Sequence, residues 1–135
     1  MAAEHLVVDA SVVVKSLLVE NGLASFRRYV LHAPTLLWSE VGAALGQLRW
    51  RAEISEDEVQ VALDRLSAAS IEAHHSDSLI RPAIAFARQA GWAKTYDAEY
   101  VVLAQDLGAS FMTLDSRLAR AVVSVVNLVE PLALD

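Results

Sequence analysis

An α/β fold, a parallel sheet covered by helices on both faces, is predicted for this chain on three grounds. Short β-rich apolar runs alternate with segments of helical periodicity along the whole sequence, the order that strand–helix–strand crossovers produce. The helical segments carry start and stop residues of their own, among them Ser55 with Glu58 and the glycines Gly91 and Gly108. No linker, repeat or low-complexity tract interrupts the 135 residues. The chain is therefore expected to form a single domain, 1–135, long enough to bury about two thirds of its unfolded surface.

The first strand is expected at His5–Val8, a short β-rich run. A helix over Ala10–Leu18 follows, then a second over about Gly22–Val30. Leu31–Ala33 reads as a short second strand, ended by Pro34. About Thr35–Trp50 is helical because Leu37, Val41, Ala44, Leu45 and Leu48 fall on one stripe. Ser55 and Glu58 form a capping box that opens a helix to about Ala69. Ile71–His74 is the third strand. Asp77 or Ser78 is expected to cap a helix running to Ala90, where Gly91 stops it, and Thr95 to cap Tyr96–Leu107, stopped by Gly108. Ser110–Leu114 reads as the fourth strand, Asp115–Ala121 as a short helix, and Val125–Val129 as the fifth strand, ended by Pro131.

Composition narrows the function. Cysteine is absent, which excludes disulfides and thiolate metal sites. No apolar stretch approaches the roughly 18 residues of a membrane span. Only four residues precede the first apolar run, too few for a signal peptide, so a cytoplasmic protein is expected. Hydrophobic residues make up 55% of the chain, an excess that a second chain could cover. The net charge of −6 argues at first against a nucleic-acid partner. Four acids stand apart, however. Taking them from the 17 leaves 13 against 11 bases, an excess of only two.

Those four are Asp9, Glu40, Asp97 and Asp115. Asp9 closes the run Leu6-Val7-Val8, and Asp115 follows Ser110-Phe111-Met112-Thr113-Leu114. Glu40 and Asp97 interrupt otherwise apolar helix faces. Each has an ordinary explanation on its own. Asp9 and Asp115 suit helix N-caps, and Asp97 suits the first turn of its helix. Glu40 lies about 60° from Leu37 on the helical wheel, on the inward side, where a solvated role is harder to assign. A carboxylate near a core is costly unless paired, hydrogen-bonded or bound to a cation. Four of them brought to the same strand ends would repel, and a divalent metal is their natural partner. Ligands in such folds bind at the carboxyl ends of strands, where the strand order reverses. Ser11 and Thr113 stand two residues from Asp9 and Asp115, as local caps or as donors that orient a carboxylate.

The pattern Val8-Asp9-Ala10-Ser11, Pro34 with Glu40-Val41, Tyr96-Asp97-Ala98 with Leu103-Ala104, and Thr113-Leu114-Asp115-Ser116-Arg117-Leu118-Ala119 resembles the PIN domain. It looks most like the VapC toxin ribonucleases of bacterial and archaeal toxin–antitoxin pairs. The resemblance implies a three-layer α/β/α fold whose five parallel strands run in the order 3-2-1-4-5. It implies that Asp9, Glu40, Asp97 and Asp115 are the catalytic, metal-ligating quartet, and that the chain cleaves RNA endonucleolytically. It further implies a homodimer and a VapB-type antitoxin that lays an apolar helix along the toxin. Some relatives carry another acid or amide where this chain has Arg117, which leaves a second metal position in doubt.

Oxygen ligands without cysteine or clustered histidine suit Mg²⁺ or Mn²⁺ rather than zinc. Such ions activate water, hold a scissile phosphate and stabilise a leaving oxygen. The histidines His5, His32, His74 and His75 show no H-E-x-x-H spacing, and His74-His75 is expected at a strand end and on the surface. Lys15, Arg27, Arg28, Arg49, Arg51, Lys94, Arg117 and Arg120 are candidates for phosphate contacts. Trp38 and Trp50 lie off the buried stripe of their helix, on opposite sides, as interface aromatics do. A receiver-like phosphoacceptor would need adjacent acids after the first strand, where Asp9 stands alone. A haloacid-type phosphotransferase would need an aspartate at Ser11. The remaining alternatives are a non-catalytic module on the same fold and a stand-alone RNA-processing nuclease.

Overall fold

The computed structural model of the protein describes residues 3–131. In chain order these form β1 (Glu4–Val8), α1 (Ala10–Leu18), a 3₁₀ turn (Gly22–Phe26), β2 (Tyr29–Pro34), α2 (Leu36–Trp50), α3 (Glu56–Ala68), β3 (Ile71–His74), α4 (Ser76–Ala90), α5 (Tyr96–Leu107), β4 (Ser110–Met112), α6 (Ser116–Val122) and β5 (Asn127–Leu128). The five strands make one parallel sheet in the order β3-β2-β1-β4-β5. Helices cover both faces in three layers, as expected. On one face α1 packs against α2 and α3, and on the other α4 packs against α5, which lies across β1, β2 and β4. No helix among the described residues is long and apolar enough to cross a membrane.

The core explains the apolar runs. Leu6, Val7 and Val8 of β1 are all shielded, because a central parallel strand is buried on both faces. Phe111 and Met112 do the same in β4, and Val101, Leu103 and Ala104 fill the buried side of α5. On α2 the predicted stripe holds, with Leu37, Val41 and Leu45 buried and Ala44 and Leu48 partly so.

Several boundaries differ from expectation, each for a local reason. Gly22–Val30 is not a helix. Its start is one 3₁₀ turn, and Tyr29 and Val30 already pair with Glu4 and His5. Gly22 is pressed against the end of α1, where a Cβ would stand 2.3 Å from the Ser16 carbonyl oxygen, so only glycine fits. The fourth strand stops at Met112 rather than Leu114, and past Thr113 the N–H groups of Leu114 and Asp115 bond to side chains instead of a ladder. Leu114 donates to Ser11 Oγ and Asp115 to Thr113 Oγ1. The fifth strand shrinks to two residues, since Val125 and Val126 both bond back to the Val122 carbonyl.

Neither Asp77 nor Ser78 caps α4, which begins at Ser76 with His75 in the cap position. Thr35 does the work from the other crossover. Its hydroxyl accepts the Ser76 N–H at 3.0 Å, while Ser76 Oγ accepts the Leu36 N–H at 3.2 Å. The starts of α2 and α4 are thus capped by each other. Thr95 occupies the cap position of α5 without a side-chain bond. The Ser55–Glu58 capping box and the left-handed glycines Gly91 and Gly108 appear as expected.

Candidate metal and active site

β1 and β4 are neighbours at the point where the strand order reverses, so Asp9 and Asp115 leave the sheet side by side. Asp9 is 7% exposed and accepts three hydrogen bonds. The Val12 N–H at 3.2 Å makes it the N-cap of α1. Ser11 Oγ donates to Oδ1 at 2.5 Å, and Thr113 Oγ1 donates to Oδ2. Both hydroxyls also accept backbone N–H groups, from Leu114 and Asp115, at 3.0 Å. Each hydroxyl therefore receives from the β4 exit and gives its proton to Asp9. Capping and site-building are one arrangement here, which is why neither reading could be separated in the sequence.

Asp115 caps α6, accepting the Arg117 and Leu118 N–H groups at 2.9 and 3.2 Å on Oδ1. Among the described residues Oδ2 takes no such bond and is left for the cleft. Asp97 stands in the first turn of α5 and Glu40 in the second turn of α2. Glu40, Asp97 and Asp115 line one cleft of about 550 Å³ together with Trp92, Lys94, Tyr96 and Arg117. A second cleft of similar size, near the start of β2, is lined by Ser16, Asn21, Phe26, Arg27 and Arg65. It holds no acid and offers no comparable chemistry.

Electrostatics tie the four carboxylates together. Burial raises the Asp9 carboxyl above its ordinary range, against the pull of its hydrogen bonds. Lost hydration raises Glu40, and the charges of Asp97, Asp9 and Glu99 add to the shift. Asp97 is exposed on one side, yet protein around it removes enough water to raise it, with Asp9 and Asp115 adding. Glu40 and Asp97 thus both lie in the field of Asp9, Asp97 adds to the field at Glu40, and Asp115 to that at Asp97. Their oxygens are not drawn into a tight cage. Among the described residues, the one group of three whose ligand atoms lie within 4.8 Å of each other is His32, Glu72 and His74. An all-oxygen donor set, with Asp9, Glu40 and Asp97 raised first by burial and the last two also by neighbouring carboxylates, fits a hard divalent cation.

Two features had no reading in the sequence, and a third departs from its reading. Tyr100, 1% exposed and one turn beyond Asp97, donates its hydroxyl to Glu40 at 2.5 Å. Burial and that bond raise its own pKa far beyond the phenol range. Its spacing from Asp97 was the available signal. Glu99 is buried with Oε1 unbonded among the described residues. Thirdly, His74 is not a surface residue but half-buried in contact with His32, whereas His75 is exposed as expected. Of the basic candidates, Lys94 and Arg117 line the cleft. Arg49 pairs with Glu56 at 3.6 Å and Arg28 lies over the Tyr29 ring. Trp38 packs against the chain's own core, while Trp50 is 87% exposed.

A five-stranded 3-2-1-4-5 sheet with acids at its switch point defines a PIN-type α/β/α protein. The comparisons agree. No protein-family model matches the chain. Ribonuclease VapC3 of Mycobacterium tuberculosis is 35% identical over 123 residues, 87% of this chain and 88% of that one. Ribonuclease VapC1 of the same organism is 37% identical over 124 residues, 87% and 91% of the two chains. The crystal structure of PAE2754 from Pyrobaculum aerophilum superposes with a TM-score of 0.63 at 22% identity, covering 96% of this chain and 92% of that one. The chain belongs to the VapC ribonuclease family.

Proposed function

We propose that the chain is a Mg²⁺- or Mn²⁺-dependent endoribonuclease, the toxin of a VapBC toxin–antitoxin pair. The observation that carries this reading is the cleft where Glu40, Asp97 and Asp115 meet, with Asp9 in the same electrostatic field. The names of the curated relatives supply the ribonuclease class. Asp9, Glu40, Asp97 and Asp115 would hold the metal, which when bound supplies an activated water and charge stabilisation for the phosphodiester.

The protein's own groups do the rest. Ser11 and Thr113 fix Asp9 with both carboxylate oxygens already committed as acceptors. Tyr100 holds Glu40 by its Oε1. Arg117 and Lys94, on the rim, are placed to bind the phosphates flanking the scissile bond, against a chain whose net charge is −6. The partners in this reading are a second copy of the toxin and a VapB-type antitoxin helix. Exposed Trp50 and the exposed Ile80 and Ile84 of α4 support it as apolar surface open to a neighbour.

The test is cleavage of single-stranded RNA by the purified chain with millimolar Mg²⁺ or Mn²⁺ and with EDTA. Cleavage should need metal and be abolished by Asp9→Asn, Asp97→Asn or Asp115→Asn in folded protein. Asp77→Asn and Asp106→Asn, both exposed and outside the cleft, should cleave normally. Equal cleavage in EDTA, or by the quartet variants, would overturn the assignment. Metal binding without cleavage of any RNA would indicate a non-catalytic module. Light scattering at tens of micromolar should give a dimer, and saturating antitoxin should suppress cleavage.

A further inference from the structure

On β2 and β3, neighbours of β1 and reaching with His74 the same carboxyl edge of the sheet, the fold assembles a second set of ligating groups. The parallel register places Val7 beside His32, His32 beside Glu72, and Pro34 beside His74. Residues two apart on a strand share a face, so His5, His32, Glu72 and His74 project from one side of three adjacent strands. His32 Nδ1 lies 2.9 Å from His74 Nε2 and 3.4 Å from Glu72 Oε2. All three ligand atoms fall within 4.8 Å of one another. Zinc–nitrogen bonds of about 2.0–2.1 Å in a tetrahedron separate neighbouring ligand atoms by about 3.3 Å. The His32–Glu72 separation already matches that spacing, while His32 and His74 hydrogen-bond directly and would part by about 0.4 Å to admit one ion.

The surroundings fit as well. His32 is 3% exposed, whereas the Glu72 side chain is 64% exposed, so the group is rooted in the sheet and opens to solvent through the carboxylate. The far nitrogen of His32, Nε2, stands 2.9 Å from His5 Nδ1. A ligating histidine needs an acceptor for its other N–H. In the tautomer that carries the His32 proton on Nε2, His5 Nδ1 is that acceptor, and His32 Nδ1 presents a lone pair toward His74 that an ion would take over.

We infer that His32 Nδ1, His74 Nε2 and the Glu72 carboxylate form a second metal site, selective for a borderline divalent ion, Zn²⁺ above all, with water in the fourth position. Two imidazoles and one carboxylate favour zinc over magnesium, the reverse of the all-oxygen cleft. An ion held there ties edge strand β3 to β2. It owes nothing to the nuclease reading and stands or falls separately.

The experiment uses the full chain, stripped with EDTA, dialysed, and titrated with Zn²⁺ at neutral pH in excess Mg²⁺, with Co²⁺ as a spectroscopic stand-in. One Zn²⁺ per chain should bind despite the Mg²⁺, and Co²⁺ should give the intense visible bands of a four-coordinate site. His74→Ala and Glu72→Gln should each weaken Zn²⁺ binding by about tenfold or more. His75→Ala and Asp97→Asn should leave it unchanged. Glu72 is exposed, so its variant decides the matter should His74→Ala fail to fold. Failure of wild type to hold Zn²⁺ against Mg²⁺ would overturn the site, leaving a hydrogen-bonded histidine chain. Unaltered affinity in folded His74→Ala or Glu72→Gln would overturn it too, as would loss in Asp97→Asn, which would place the zinc in the carboxylate cleft.

Discussion

Thr113→Val separates the site's support from its ligands. Valine keeps the shape and burial of a residue that is 5% exposed but removes one hydroxyl with two jobs. Asp9 Oδ2 loses its donor, and the Asp115 N–H loses its acceptor. A hydrogen bond to a charged group contributes about 1.5–3 kcal/mol, and a buried donor left unpaired costs about 1–3. Water can reach the exposed Asp115 side, so the lower ends apply and the loss should be about 2.5 kcal/mol. That is a large part of a typical 5–15 kcal/mol stability. Urea denaturation of both proteins in EDTA measures it. Because the lost bond had been lowering the Asp9 pKa, the gap should narrow as acidification protonates Asp9. Thr113→Ser, which restores the hydroxyl, should recover most of the loss and of the Mg²⁺ affinity. A Thr113→Val protein within about 0.5 kcal/mol of wild type, with unchanged Mg²⁺ binding, would refute the network.

Asp97→Asn should be more stable than wild type in EDTA near neutral pH. The sign follows from a carboxyl raised in the fold above its ordinary 3.8. The folded state then holds its proton more tightly than the unfolded chain, so stability falls as pH climbs from 3.8 through the folded value. Thermal melts should show the gap closing on acidification, and saturating Mg²⁺ should reverse it. The lowered pKa of buried His32 acts oppositely, costing stability as pH falls below 6.5, but it is common to both proteins and cancels in the difference. Gly22→Ala should destabilise by about 1–3 kcal/mol, since its Cβ would meet the Ser16 backbone. Gly42→Ala, in α2 with nothing within 4 Å, should instead stabilise by about 0.5–1 kcal/mol, and chemical denaturation distinguishes the two.

Period and punctuation made most of the fold readable. α1, β3 and α5 fall on the expected residues, and the end of α5 was marked by its stop at Gly108. The Gly22–Val30 helix failed because two residues at its end were worth more to β1 as strand partners than to a helix. Asp9 and Asp115 were legible as strand-end acids, and their adjacency came only with the family resemblance. Tyr100 was illegible because an apolar environment explains a buried tyrosine equally well. The histidine group could not be read at all. His5, His32 and His74 are 27 and 42 residues apart and meet only through strand register, which no linear spacing displays.

The central claim, that Asp9, Glu40, Asp97 and Asp115 hold one divalent-metal centre, is tested most directly by locating the metal. Crystals of the chain grown with Mn²⁺ and measured at the manganese absorption edge should show an anomalous peak in the cleft, within coordination distance of Asp9, Asp97 and Asp115. That peak should be missing in Asp97→Asn crystals grown the same way. A cleft without manganese in crystals whose protein still cleaves RNA with Mn²⁺, or a peak confined to His32, Glu72 and His74, would contradict it.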